Sequence, residues 1–142
     1  MERRVRTRIL VEGQPTVLNQ IAREVEQKHD VALVKEPTEE LVMLRVRESA
    51  RRSQFYLGEA LMTSCVVRIG DTYGYGMVMG EDHGKAFDLA VVDAAYTFDP
   101  AACEEAGWDA LLIQSDKHIQ TEKRKHNEAL LRTQVDFSTM EV

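Results

Sequence analysis

Apolar positions recur at helical spacing through the first thirty residues. Val17, Leu18, Ile21 and Val25 share one face while Arg23, Glu24, Glu26 and Lys28 turn elsewhere, so residues 16–28 read as an amphipathic helix. Pro15 and Thr16 suit its entrance, and residues 2–11 form a helix ahead of it, beyond the link "EGQP". After Asp30 the period changes. "VALVK" is a short strand, "EPTEE" a turn, and in "LVMLRVRE" Val42, Leu44 and Val46 alternate with Met43, Arg45 and Arg47. "SARRS" is a polar link. The run "FYLGEALMTSCVVRI" puts Leu61, Thr63, Cys65, Val67 and Ile69 on one side, and its length predicts a bend or bulge near Gly58. "GDT" is hairpin chemistry, and "YGYGMVMG" returns as the last strand. Links this short join antiparallel neighbours, which predicts a meander of four strands.

The remainder is helical. "EDHGKAFDLAVVDAAYTF" offers Asp82 as N-cap and is stopped by Pro100; a last helix runs from near Asp109 to about Thr133. The prediction is one α+β domain over residues 1–142: a helical start (1–29), an antiparallel sheet (30–80), then helices, the last long and polar, with a C-terminal tail (81–142).

Three glycines just ahead of a helix raise the question of a phosphate cradle. Such a loop needs its glycines in the turn, where backbone N–H groups point at the anion. Gly74 and Gly76 instead lie inside the strand alternation. Only Gly80 and Gly84 fall in the connection, with Glu81 and Asp82 between them to repel an anion. The spacing also misses both common nucleotide fingerprints. Gly74 and Gly76 are therefore expected to clear a strip that another backbone or a bulky side chain can approach, a contact surface.

The helix after Asp82 has Ala86, Phe87, Ala90, Val91, Ala94, Ala95 and Phe98 on its main face, yet Leu89, Val92 and Tyr96 point elsewhere. A helix apolar on several sides is either a central core helix or a subunit contact. The last helix is the opposite: from Gln114 to Glu128 only Ile119 is apolar, so the segment is solvated or projects toward a partner. His118, Glu122 and His126 make a stripe, but the two histidines are about 12 Å apart along a straight helix and cannot share one ion, so no metal site is expected.

No Ser-His-Asp spacing, nucleophile elbow, H-E-x-x-H or Walker motif occurs. Asp88 and Asp93, five apart on a helix, do not share a face and make a poor acid/base pair. The remaining candidates for catalysis are His83 and Lys85, near the helix start where an anion can approach.

Charge and composition narrow the classes. Acidic residues outnumber Lys and Arg by 24 to 18 in 142 residues, for a net charge of −6, which implies no general affinity for nucleic acid or anionic membrane. Arg3, Arg4, Arg6 and Arg8 precede a stretch too polar for a secretory signal, and no run is long enough to cross a bilayer. Cys65 and Cys103 fit two reduced thiols in a cytoplasmic protein.

From Leu41 to Met140 several motifs follow one another: "FYLGE", a T-x-C-x-V-x-I strand, "GYGMVMG", a helix with "AVVDA", a polar helix and "VDFSTM". In this order they resemble the PhnG family, a subunit of the bacterial carbon–phosphorus lyase core complex. The resemblance implies a role in phosphonate catabolism beside the subunits PhnI, PhnH and PhnJ. In that family the assembly displaces adenine from ATP by a phosphonate such as methylphosphonate. The ribose 1-phosphonate 5-triphosphate so formed is later cleaved by a radical iron–sulfur subunit. The nucleosidase chemistry belongs to PhnI, which makes this subunit accessory. The complex uses ATP with magnesium, and no cofactor is expected on this chain alone. On this view Gly74, Gly76, Phe87 and Val91 and the tail residues Val135, Phe137 and Met140 are partner-interface positions, and the isolated chain self-associates. The alternative is a stand-alone homo-oligomer that binds a small ligand without catalysis.

Overall fold

A computed structural model describes residues 1–135 of the chain. Its elements are α1 (Arg3–Glu12), α2 (Pro15–Lys28), β1 (Val31–Arg47), β2 (Gln54–Ile69), β3 (Thr72–Met79), α3 (His83–Phe98), α4 (Pro100–Glu105) and α5 (Trp108–Thr133). The two N-terminal helices fall where periodicity puts them, with Pro15 in the first turn of α2, where a missing N–H costs nothing. Gly70 and Asp71 turn the β2–β3 hairpin, and Gly70 takes the left-handed φ of 57° that such a turn needs. Among the described residues no helix is long and apolar enough to cross a membrane.

The sheet has three strands, ordered β1-β2-β3 and antiparallel, where the sequence pattern predicts four. The first two predicted strands are one. "EPTEE" does not turn the chain back; it runs on as part of β1, with register shifts between Leu33 and Lys35 and between Lys35 and Thr38. The reason is position. β1 is an edge strand, so Pro37 need not supply a ladder N–H, and local irregularity absorbs it without a reversal. A third shift leaves Leu57 without a partner across from Leu44 and Arg45, beside Gly58, where the length of the run predicts a bend.

All the helical packing on the sheet comes from one side. α3 lies across the inner faces of β2 and β3, with α2 behind it. The contact is close because Gly74 and Gly76 lack side chains: a Cβ at Gly74 would stand 2.2 Å from the Ala90 carbonyl oxygen, and one at Gly76 would stand 1.9 Å from that of Ala86. The predicted approach of a second backbone is therefore real, but the backbone is the chain's own α3. Gly74 and Gly76 are core positions, which corrects their assignment as an exposed docking strip. Most of the apolar surface of α3 is likewise covered within the chain: Val91 is fully buried and Phe87 is half-buried against the same core, while Phe98 at its end stays exposed. Thr63, also buried, fastens the β3–α3 connection by donating to the Gly80 carbonyl (2.6 Å) and accepting from the Asp82 N–H (3.1 Å).

Pro100 ends α3 but also begins α4, a short helix that the sequence pattern does not announce; Asp99 caps it by accepting from the Ala102 N–H at 3.0 Å. Beyond Ile119 the residues of α5 are exposed, so its last three or four turns project from the body. Trp108 anchors the other end, donating its indole N–H to Glu24 at 2.6 Å. That bond, followed by one from Gln20, holds the Glu24 carboxyl below its ordinary range.

Candidate functional site

The arginine-rich start is used internally. Arg3 and Arg6 both reach the Asp93 carboxylate on α3, at 2.6 and 3.2 Å, and Asp93 also accepts from the Tyr75 backbone N–H at 3.0 Å. Arg6 is 5% exposed and lies over the Tyr96 ring, 4.2 Å from its centroid. Arg8 pairs with Asp116 at 3.0 Å, tying α1 to α5. Asp93 is thus the hub of a structural clamp.

His83 and Lys85 do not converge. The Lys85 ammonium donates to the Val11 carbonyl at 2.8 Å, where it complements the C-terminal end of α1. The Lys85 N–H is capped by Asp82 at 3.0 Å, as the sequence suggests. His83 turns the other way, to the Glu39 carboxylate on β1. That contact, first of all, lowers the Glu39 carboxyl below its ordinary range. With Glu81 the pair forms a cluster whose ligand atoms lie within 4.8 Å of one another. Two segments contribute to it, β1 through Glu39 and the entry to α3 through Glu81 and His83, so no single spacing in the sequence marks it. All three residues are exposed, as solvated acidic groups usually are, and nothing buried orients them. His118 meets Gln14 at 3.3 Å across a shallow cleft.

Asp88 occupies a different environment. It is 5% exposed and lines a cleft of about 370 Å³ between α2 and α3, with Arg23, Asn19, Asp82 and Lys85. Burial pushes its carboxyl above the ordinary aspartate range, against the opposing pull of Arg23. A raised folded-state value means that the folded chain holds a proton the unfolded chain has released. Stability from this site is full at acid pH, below the unfolded value, and declines as pH rises through the folded value. Asp88→Asn should therefore melt higher than the parent at pH 7, with the gap closing as pH falls toward the unfolded aspartate range. Thermal denaturation across that range checks the sign. Asp88 and Asp93 face different partners, as their spacing implies, and among the described residues no nucleophile, base and oxyanion donor come together around either.

The conspicuous surface is the sheet face away from α3. Alternation places Tyr73, Tyr75, Met77 and Met79 of β3 there, across from Arg68, Val66, Ser64 and Met62 of β2. Met79 is 71% exposed and Tyr75 57%. The Lys35–Glu40 pair, with Lys35 donating to Ser64 at 2.9 Å, lies over its middle, and the Arg3 guanidinium stands 5.9 Å from the Tyr75 ring centroid. Beyond Met62, where β3 ends, β1 and β2 continue as a two-stranded arm. An open apolar face on a one-layer helical cover is the kind of surface that protein contacts use. Of the other interface positions read from the sequence, Val135 is exposed, while Phe137 and Met140 lie outside the described residues.

These features define the class: an α+β domain with a one-sided core, no convergent catalytic constellation among its described residues, and a broad sheet face left open. The chain belongs to the family described as Phosphonate metabolism protein PhnG, which it matches over residues 1–141. It is 32% identical, over 117 residues, to "Alpha-D-ribose 1-methylphosphonate 5-triphosphate synthase subunit PhnG" of Rhizobium meliloti (strain 1021), a match covering 82% of this chain and 73% of that protein. Its place is in phosphonate metabolism.

Proposed function

We propose that the chain is an accessory subunit of an alpha-D-ribose 1-methylphosphonate 5-triphosphate synthase. In this role it completes an assembly that exchanges the adenine of ATP for an alkylphosphonate, in the cytoplasm. The nucleosidase chemistry and the ATP with its magnesium belong to partner subunits such as PhnI, with PhnH and PhnJ in the same assembly. The name of the Rhizobium meliloti relative, a synthase subunit, supports this reading. The observation that carries it is the uncovered sheet face with Tyr73, Tyr75, Met77 and Met79. Aromatic residues and methionine are enriched at protein interfaces, and obligate interfaces of more than about 2,000 Å² resemble a core cut in half.

The paired replacement Met77→Asp and Met79→Asp tests it. Both side chains point into solvent, so the variant should keep its circular dichroism and melting temperature. Charges buried in an assembled interface cost several kcal/mol, so co-purification with the other subunits should fall by roughly a hundredfold or more. The parent chain made alone should self-associate in sedimentation, and the variant should not. Undiminished co-purification of the variant would remove this face from the assembly. If instead the parent is a monodisperse dimer that ignores the other subunits and is stabilised by nucleotides or phosphonates, the stand-alone ligand-binding alternative holds, with the Asp88 cleft as its site.

A further inference from the structure

The β1–β2 arm is a second surface with its own chemistry. From Leu41 to Arg47, paired with Gln54 to Leu61, it runs about 20 Å without a third strand. A two-stranded ribbon is marginally stable by itself in water. Exposed apolar side chains stand on both faces: Val42, Leu44, Val46 and Phe55 on one, and on the other Leu41, Met43, Tyr56 and Leu61, interleaved with Arg45, Arg47 and Glu59. Leu41 is 66% exposed, and so, at 65%, is the bulged Leu57. A flat surface covers only one side of such a ribbon. Covering both takes a groove.

The tip supplies the charge. Arg45, Arg47, Arg51 and Arg52 fall within eight residues whose only acidic member is Glu48, so this segment is +3 in a chain of −6. Arg3, Arg6, Arg8 and Arg23 all find carboxylates, whereas the four tip arginines make no ion pair among the described residues. Glu48 instead accepts from the Ser53 hydroxyl at 3.2 Å, and the Glu48 N–H donates to the Ser53 carbonyl at 2.9 Å, closing the tip. The arginines stand on a convex end with apolar side chains directly behind them. A polyphosphate would call for convergent donors in a hollow. Arginine beside Tyr, Phe and Leu is the composition of a protein contact. A second copy of this chain is a poor seat: clefts among its described residues measure about 280 to 460 Å³, room for a few side chains and not for a ribbon.

We propose that the arm inserts, tip first, into an apolar groove rimmed with carboxylates on another subunit of the complex, its arginines pairing with the rim. This rests on the subunit reading above. The test is the association rate of the full chain with the co-expressed remaining subunits, at about 0.05 M and about 0.5 M salt. A variant with all four tip arginines changed to alanine should fold as the parent does. At low salt it should associate about ten- to a hundredfold more slowly, with the difference lost at high salt. The pair Tyr56→Asp and Leu57→Asp should raise the dissociation rate about tenfold or more at either salt. An alanine variant with parental rates and salt slope overturns the arm while leaving the complex intact. The arm is overturned equally if the alanines abolish binding of ATP or polyphosphate, or a homodimer, and spare assembly. A parent chain that associates with none of the subunits overturns both readings together.

Discussion

Gly76→Ala should leave little folded protein, and the loss should be seen in the chain by itself, with no partner present. The added methyl would sit 1.9 Å from the Ala86 carbonyl oxygen and 2.7 Å from the Ala90 nitrogen. Both are backbone atoms of a buried helix, so no side chain can rotate away, and relief requires lifting α3 off the sheet. Ordinary overpacking costs about 1–3 kcal/mol. A clash with rigid backbone should exceed that, out of a total stability of about 5–15 kcal/mol. Urea denaturation, or the soluble yield if nothing folds, measures it. Gly58→Ala is the control: a Cβ there meets nothing within 4 Å, so its stability should stay within about 0.5 kcal/mol of the parent. If Gly76→Ala were as stable as the parent and merely failed to assemble, the glycine strip would belong to a partner and the α3 packing described above would be wrong.

That experiment separates two readings that look alike in the sequence. The G-x-G alternation announces a close backbone approach, because only the missing Cβ matters; it cannot say whose backbone arrives. Features decided within a few residues were legible: the stripe of α2, the Asp82 cap, the Gly70–Asp71 turn and the bulge beside Gly58. Features decided by distant partners were not. Pro37 looks like a strand breaker until β1 is known to be an edge. The N-terminal arginines have no assigned role in the sequence until Asp93, some ninety residues on, is placed between Arg3 and Arg6. Tyr73, Tyr75, Met77 and Met79 show in the sequence only as the positions alternating with Gly74, Gly76 and Val78; which side α3 covers is decided by the fold. The surplus apolar surface inferred from the sequence exists, but on the opposite side of the sheet from the glycines and along the arm. Of the Glu39, Glu81 and His83 cluster the sequence shows only the neighbours Glu81 and His83; the fold brings Glu39 to them.

Asp93→Ala should be the most damaging single change that adds no bulk. It leaves the Arg6 guanidinium, 5% exposed and held against Tyr96, with no counter-charge, and it takes the acceptor from the Tyr75 N–H on β3. Removing one partner of a buried ion pair costs about 3–5 kcal/mol, because the remaining charge stays desolvated. Arg3 shares the same carboxylate, but its side chain is 59% exposed, and Arg3→Ala should cost no more than about 1 kcal/mol. Asp93→Asn keeps an acceptor for Tyr75 and drops the charge, so it should fall between the two. Urea denaturation of the three variants gives the ranking, and a double-mutant cycle with Arg6→Met isolates the pair. In the cycle the second replacement should recover much of the loss, since no uncompensated charge remains; what is left over reports the orphaned Tyr75 N–H. An Asp93→Ala variant within about 1 kcal/mol of the parent would mean that Arg6 reaches water, and that α1 is not clamped to α3 through this carboxylate.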